Sequence, residues 1–243
     1  MPLPGFRIGG KTRWLQIAST PKLTLYRATA SRGSLLDGLA GIVVHDHFKP
    51  YYQLKGVLHA LCNAHHLREL QALIDIEREE WATRMRCLLR RASHATHLAR
   101  TRQRPLSAVL HALFRHAYDR IIRDGLAFHQ NQPALIRTPG RDPRGRTPRR
   151  IGHNLLRRLD ERRDDVLRFL SNPDVPFTNN LAERDARMLK LRQKISGGFR
   201  STQGAENFAA IRSLISTAKK QGWDILRTFN QTQNYLIDAA HNA

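Results

Sequence analysis

Residues 11–20 and 22–29 are two runs rich in β-branched and aromatic side chains, and only Pro21 separates them. Proline fixes φ and has no N–H to give to a strand ladder, so it interrupts strands rather than extending them. A spacing this short leaves the two runs an antiparallel hairpin, which commits the chain to a sheet. Gly41-Ile42-Val43-Val44 is a compact apolar run of the kind that buried strands carry, and residues 58–62 form another short one. Residues 31–33 break the pattern before 41, and 34–39 suit a short helix. Most of the remaining chain has helical periodicity. The expected class is therefore α+β, predominantly helical.

The helical segments follow from apolar spacing and punctuation. Asn63 is placed to cap a long helix running to about residue 100, with Leu67, Leu70, Leu73, Trp81, Met85 and Leu89 on its inner face. A second spans 106–128 through Val109, Leu110, Leu113, Tyr118, Ile121 and Ile122. A third spans 151–171 through Leu155, Leu156, Leu159, Val166, Leu167 and Leu170. The stretch 130–150 is different in kind. It holds six arginines between Arg137 and Arg150, only Asp142 opposes them, and four prolines or glycines fall between Pro139 and Gly145. Such a segment cannot bury a core and reads as a mobile basic arm. Asn180 can cap the next helix, with Glu183 reaching back as in a capping box and Gly197-Gly198 stopping it. There Leu181, Met188, Leu191 and Ile195 share one face, expected to be the core face, and Glu183, Arg187, Lys190 and Lys194 lie away from it. Ser201 or Thr202 caps a helix to 221, and 224–239 forms the last.

Charge limits the partners. Lys and Arg total 41 against 20 Asp and Glu, a formal net charge of +21 over 243 residues. Self-repulsion on that scale points to a polyanion, and nucleic acid is the default. The positive charge is spread along the chain, which suits a phosphate-tracking surface better than a membrane tail. With no apolar run near eighteen residues and no signal-peptide pattern, a cytoplasmic protein with no membrane contact is expected. Cys62 and Cys87 are the two cysteines and form no disulfide framework.

Few residues are candidates for chemistry. Asp46 follows the apolar run 41–44 within His45-Asp46-His47, and open α/β sheets place their sites just past strand ends; the same Asp could equally begin a turn. Glu183, a lone acid among cations, is either a salt-bridged surface residue or a metal ligand flanked by phosphate-binding groups. The 196–202 loop with Arg200 directs backbone N–H groups outward and can hold a phosphate. Cys62 and His65 offer sulfur and nitrogen at short spacing. A structural zinc site wants four ligands, and no second pair accompanies them, so the residues favour Cys62 as a small buried hydrophobe with His65 or His66 hydrogen-bonding near the strand end.

Several segments together resemble the insertion-sequence-66 family of transposases, members of the DDE group. They are Gly10-Lys11-Thr12-Arg13-Trp14-Leu15, Arg32-Gly33, Val44-His45-Asp46-His47-Phe48-Lys49-Pro50-Tyr51, Leu61-Cys62-Asn63-Ala64-His65-His66-Leu67-Arg68-Glu69, Pro176-Phe177-Thr178-Asn179-Asn180-Leu181-Ala182-Glu183-Arg184, and Lys194-Ile195-Ser196-Gly197-Gly198-Phe199-Arg200. The resemblance runs from about residue 5 to 221. It implies a partial RNase H-like core interrupted by a large helical insertion. Residues 1–66 would be the N-terminal part of the core, 67–172 the insertion with its basic loop 130–150, 173–222 the C-terminal part, and 223–243 a terminal helix. It implies that Asp46 and Glu183 are the second and third catalytic carboxylates, approach each other in the fold, and bind Mg2+. It further implies that Arg184, Arg187, Lys190, Lys194 and Arg200 contact DNA, with the Cys62 and His65 pair recurring in related groups. The reaction would be in-line phosphoryl transfer on DNA.

One departure bears on function. The family's first acid sits in an Asp-Glu-Thr sequence a few residues before the position of Gly5-Phe6-Arg7-Ile8, where this chain has Met1-Pro2-Leu3-Pro4. Asp37 is the only acid ahead of Asp46 and cannot replace a ligand on another strand. The expectation is the C-terminal part of a bacterial transposase, lacking the first strand and the upstream DNA-binding region and not catalytic alone. Its partners would be insertion-sequence ends, a full-length transposase or a second copy. The alternative is a non-catalytic DNA-binding remnant that regulates a full-length transposase.

Overall fold

The computed structural model describes residues 5–8, 11–33, 38–133, 135 and 149–230. The short helix expected at 34–39 and the basic arm at 130–150 lie largely outside the described residues, as does the end of the helix expected at 224–239. The chain divides into two compact units. One comprises Met1–Gly41, His47–Val57 and Asn179–Ala243, the other Ile42–Asp46 and Leu58–Thr178.

The first unit is built on the hairpin around Pro21. β2 (Lys11–Ser19) pairs antiparallel with β3 (Thr24–Thr29) in the register Trp14 to Thr29 through Ser19 to Thr24. A strand not anticipated ahead of residue 11, β1 (Phe6–Ile8), pairs antiparallel with β2. On its other side β1 pairs parallel with β6 (Gly198–Phe199). The resulting order is β3-β2-β1-β6. Gly198 permits that last pairing, because a Cβ there would lie 2.5 Å from the Arg7 carbonyl oxygen. The Gly-Gly pair is thus a helix stop followed by a strand contact, which a short apolar signal could not announce.

Helices α6 (Asn180–Ser196) and α7 (Thr202–Gln221) cover this sheet, and α8 (Ile225–Phe229) follows. Ser201 caps α7 by accepting from the Gly204 N–H, and Gly222 ends it in the left-handed region at φ 71°. Phe6, Ile8, Leu15, Tyr26, Phe199, Ala205 and Ala209 form the core, with Phe6 and Phe199 edge to face at 5.2 Å. α6 turns Ala186 inward; Met188, Leu191 and Ile195, expected to form its core face, are exposed. The expectation failed because the small Ala186 is the residue that enters the core, and periodicity counts large apolar residues first.

The second unit holds β4 (Gly41–His45) and β5 (Val57–Leu61), paired in a separate two-stranded sheet, and five helices. These are α1 (Asn63–Glu77), α2 (Glu80–Thr101), α3 (Ala108–Gln130), α4 (Ile151–Glu161) and α5 (Arg163–Ser171). The segment expected as one helix over 63–100 is two. Arg78 adopts φ 51°, and the buried Glu79 carboxylate accepts from Trp81 Nε1 at 2.5 Å and lies 3.3 Å from His129 Nε2. Likewise 151–171 breaks at Arg162, which ends α4 and precedes α5. Asn63 does not cap α1; Cys62 stands in that position, and the buried Asn63 amide donates to the Val166 carbonyl at 3.0 Å. Leu70, Met85, Leu89, Tyr118, Leu156 and Leu159 are fully buried. Val109, Leu110 and Leu113, expected to be inward-facing, are exposed; the apolar residues of α3 that are buried, Tyr118, Ile121 and Ile122, lie further along the helix.

Candidate functional site

Asp46 belongs to the second unit, directly after β4 and half-buried. What precedes it is held tightly. His45 is 2% exposed, and its Nδ1 bonds the Asp46 carbonyl oxygen while Nε2 lies 3.1 Å from His59 Nδ1. Burial pushes the His45 pKa down to about 4, so the ring is neutral near pH 7. A neutral ring that donates through Nδ1 must accept at Nε2, which makes His59 Nδ1–H the donor of the second bond. The His59 carbonyl accepts from Arg168 Nε at 2.5 Å, and the Arg168 guanidinium pairs with Asp165 at 3.0 Å. β4 and β5 are also tied where they end, by Cys62 N–H donating to the His45 carbonyl at 2.9 Å. The backbone that carries Asp46 is thus fixed by two imidazoles and an ion pair on α5.

Cys62 and His65 share the same unit. Cys62 is buried at 1% exposure, and the His65 N–H closes the first turn onto the Cys62 carbonyl at 3.1 Å. His65 itself is half-buried.

Glu183 belongs to the first unit, in the first turn of α6 and half-buried. Because α6 begins at Asn180, Asn179 stands in the capping position, one residue earlier than expected, and its carbonyl accepts from the Glu183 N–H at 3.2 Å. Two residues on, Asp185 anchors the helix. Its Oδ2 accepts from Ser19 Oγ at 2.6 Å on β2, Thr24 Oγ1 at 3.1 Å on β3 and Lys220 Nζ at 3.0 Å on α7. The Tyr26 hydroxyl, whose pKa burial raises, donates to the Asp185 carbonyl at 2.8 Å. Sequence spacing pointed to none of these anchors, because each joins residues more than 30 positions apart.

Arg184, Arg187, Lys190, Lys194 and Arg200 are all exposed on this unit. Among the described residues none of the five pairs with an acid, so their charge is available to an external anion. Arg200 lies in the bend between β6 and the Ser201 cap of α7.

The described residues thus comprise a four-stranded sheet with an acid on a cationic helix in one unit, and a helical second unit with an acid at a strand end. The family model described as "Transposase IS66 family" matches residues 7–207, and the chain belongs to that family. It is also similar to "Uncharacterized protein y4jO" of Sinorhizobium fredii (strain NBRC 101917 / NGR234), at 40% identity over 68 residues. That alignment covers 28% of this chain, which spans about a fifth (21%) of the length of the relative. No solved structure matches the chain. Among the described residues, no helix is long and apolar enough to cross a membrane.

Proposed function

We propose that the chain carries part of a DDE transposase core of the RNase H-like type and serves in DNA-mediated transposition. The observation that carries this reading is the family match, which includes both Asp46 and Glu183, combined with the uncompensated cations beside Glu183 on α6. An antiparallel β3-β2-β1 hairpin system extended by a parallel strand on β1 supports it.

Asp46 and Glu183 are the carboxylates assigned to a divalent metal, and Mg2+ suits them because hard oxygen donors prefer hard cations. Bound there, Mg2+ would supply Lewis-acid stabilisation of the phosphoryl oxygens. The side chains have separate tasks. Asp46 and Glu183 would each offer carboxylate oxygens to the cation, Arg187, Lys190 and Lys194 would neutralise DNA phosphates, and Arg184 and Arg200 would extend that surface. The His45 and His59 bonds fix the backbone at Asp46, and the Asp185 anchor fixes α6 under Glu183.

Two carboxylates hold metal less firmly than the three of a DDE site, and Asp37, outside the described residues, is the only other acid ahead of Asp46. With Asp46 and Glu183 as its carboxylates, these 243 residues by themselves are expected to bind insertion-sequence ends without cutting them, in the bacterial cytoplasm and together with a full-length transposase or another copy. The test incubates the purified chain and Mg2+ with labelled insertion ends and with unrelated duplex. Binding to the ends at least about tenfold tighter, without strand cleavage, supports the reading. Mg2+-dependent cleavage or joining by the chain alone would overturn the claim of inactivity, and equal affinity for both DNAs would remove a regulatory role.

A further inference from the structure

Between α2 and α3 runs an open groove of about 550 Å³, lined by Arg90, Arg91, His94, Ala95, Leu98 and Phe114. Its floor is apolar and its rim cationic. The apolar surface continues along the first two turns of α3, where Val109, Leu110 and Leu113 are 70%, 42% and 58% exposed, and onto Leu98 at 39%. A contiguous exposed apolar surface with a polar rim marks an interaction site rather than ordinary surface scatter. Arg90, Arg91 and His94 have no acidic partner among the described residues, although neighbouring arginines do: Arg84 pairs with Asp124 and Arg115 with Asp164.

We propose that this groove docks an acidic amphipathic helix of a partner protein. Its apolar residues would cover Leu98, Leu110, Leu113 and Phe114, and its carboxylates would meet Arg90 and Arg91. The spacing suits a helix, because Leu110, Leu113 and Phe114 stand at i, i+3 and i+4 on α3, while Arg91 and Leu98 are seven residues apart on α2. DNA fits poorly, since exposed leucines give phosphates nothing to bind. A second copy fits poorly too. Its net charge is also +21, and a two-fold contact would set the same arginines against each other.

The probe is a fluorescein-labelled synthetic helix with leucines at i, i+3, i+4 and i+7 flanked by glutamates. The control helix has the same leucines flanked by lysines. Anisotropy titrations with the full chain should give saturable binding of the acidic probe and at least about tenfold weaker binding of the basic one. Leu113→Ser and the double variant Arg90→Glu/Arg91→Glu should each weaken the acidic probe about tenfold or more. Arg120→Glu/Arg123→Glu, an equal charge change at exposed positions elsewhere on α3, should leave it within about twofold. All altered side chains are exposed, and circular dichroism verifies that each variant keeps its fold. Three results would overturn the proposal. The two double variants could weaken the probe equally, which is bulk charge attraction. Sedimentation could show a dimer that Leu113→Glu dissociates, which makes the occupant a second copy. Arg90→Glu/Arg91→Glu could weaken a 25-base-pair duplex as strongly as the acidic probe, which makes the groove a DNA surface.

Discussion

Lys220 Nζ on α7 lies 3.0 Å from Asp185 Oδ2 on α6, with both side chains mostly buried at 12% and 15% exposure. The same oxygen takes the Ser19 and Thr24 hydroxyls, so one carboxylate joins two helices and two strands. Removing one member of such a pair leaves the other charge uncompensated, and Asp185→Ala is expected to cost about 3 kcal/mol. Replacing both, as Asp185→Leu/Lys220→Met, should recover most of that loss. Hydrogen exchange at the β2 and β3 amides reads the change locally. Undiminished protection in Asp185→Ala would mean that α6 is held by its apolar contacts alone.

His45 predicts an acid sensitivity with a definite sign. Its pKa falls from 6.5 to about 4 in the folded chain because burial disfavours the imidazolium. Between those values the unfolded chain binds the extra proton, so this contribution to stability is complete above pH 6.5 and is lost as pH falls toward 4. The full difference amounts to about 3 kcal/mol. Thermal melts from pH 7 to pH 4 should fall more steeply for the native chain than for His45→Asn. A residual slope is expected from His59, whose pKa burial also lowers. Parallel pH profiles for the two proteins would refute the assignment.

The hairpin around Pro21, β4 and the helix capped at Ser201 were legible because each is set by local chemistry: a missing N–H, a short apolar run, a hydroxyl at a helix start. Asp46 was legible for the same reason, as an acid immediately after a strand. What escaped notice depends on distant partners. Nothing near Arg78 announces that the helix stops so that Glu79 can meet Trp81 and His129, since His129 is 50 residues away. On α6 the apolar stripe through Met188 and Ile195 outweighed Ala186, yet it is this small residue that enters the core. The His45 and His59 bond joins two strands whose pairing is itself non-local, and the histidine spacing carried no signal for it.

Gly152 tests the Glu79 cluster. A Cβ at Gly152, in the first turn of α4, would lie 2.2 Å from Glu79 Oε2. The carboxylate cannot withdraw without giving up the Trp81 N–H, so Gly152→Ala overpacks a filled site. A loss of about 1–3 kcal/mol is expected despite alanine's better helix propensity. Urea unfolding measures it, and a Gly152→Ala protein as stable as the native one would show that Glu79 is free to move.

The stripe on α6 makes a prediction that separates phosphate binding from structure. Arg187, Lys190 and Lys194 are exposed and lack acidic partners among the described residues, so neutralising them should leave stability within about 0.5 kcal/mol. Every phosphate that a side chain no longer neutralises reduces the slope of log affinity against log salt by about 0.9. Lys190→Gln/Lys194→Gln should therefore lower the slope by about 2 and weaken insertion ends and unrelated duplex alike, since binding to phosphate carries no sequence information. Anisotropy between 50 and 200 mM salt distinguishes the outcomes. An unchanged slope would move the DNA surface away from α6. A loss confined to insertion ends would mean that these lysines read bases, and the helix that carries Glu183 would then determine which DNA is bound as well as where it is held.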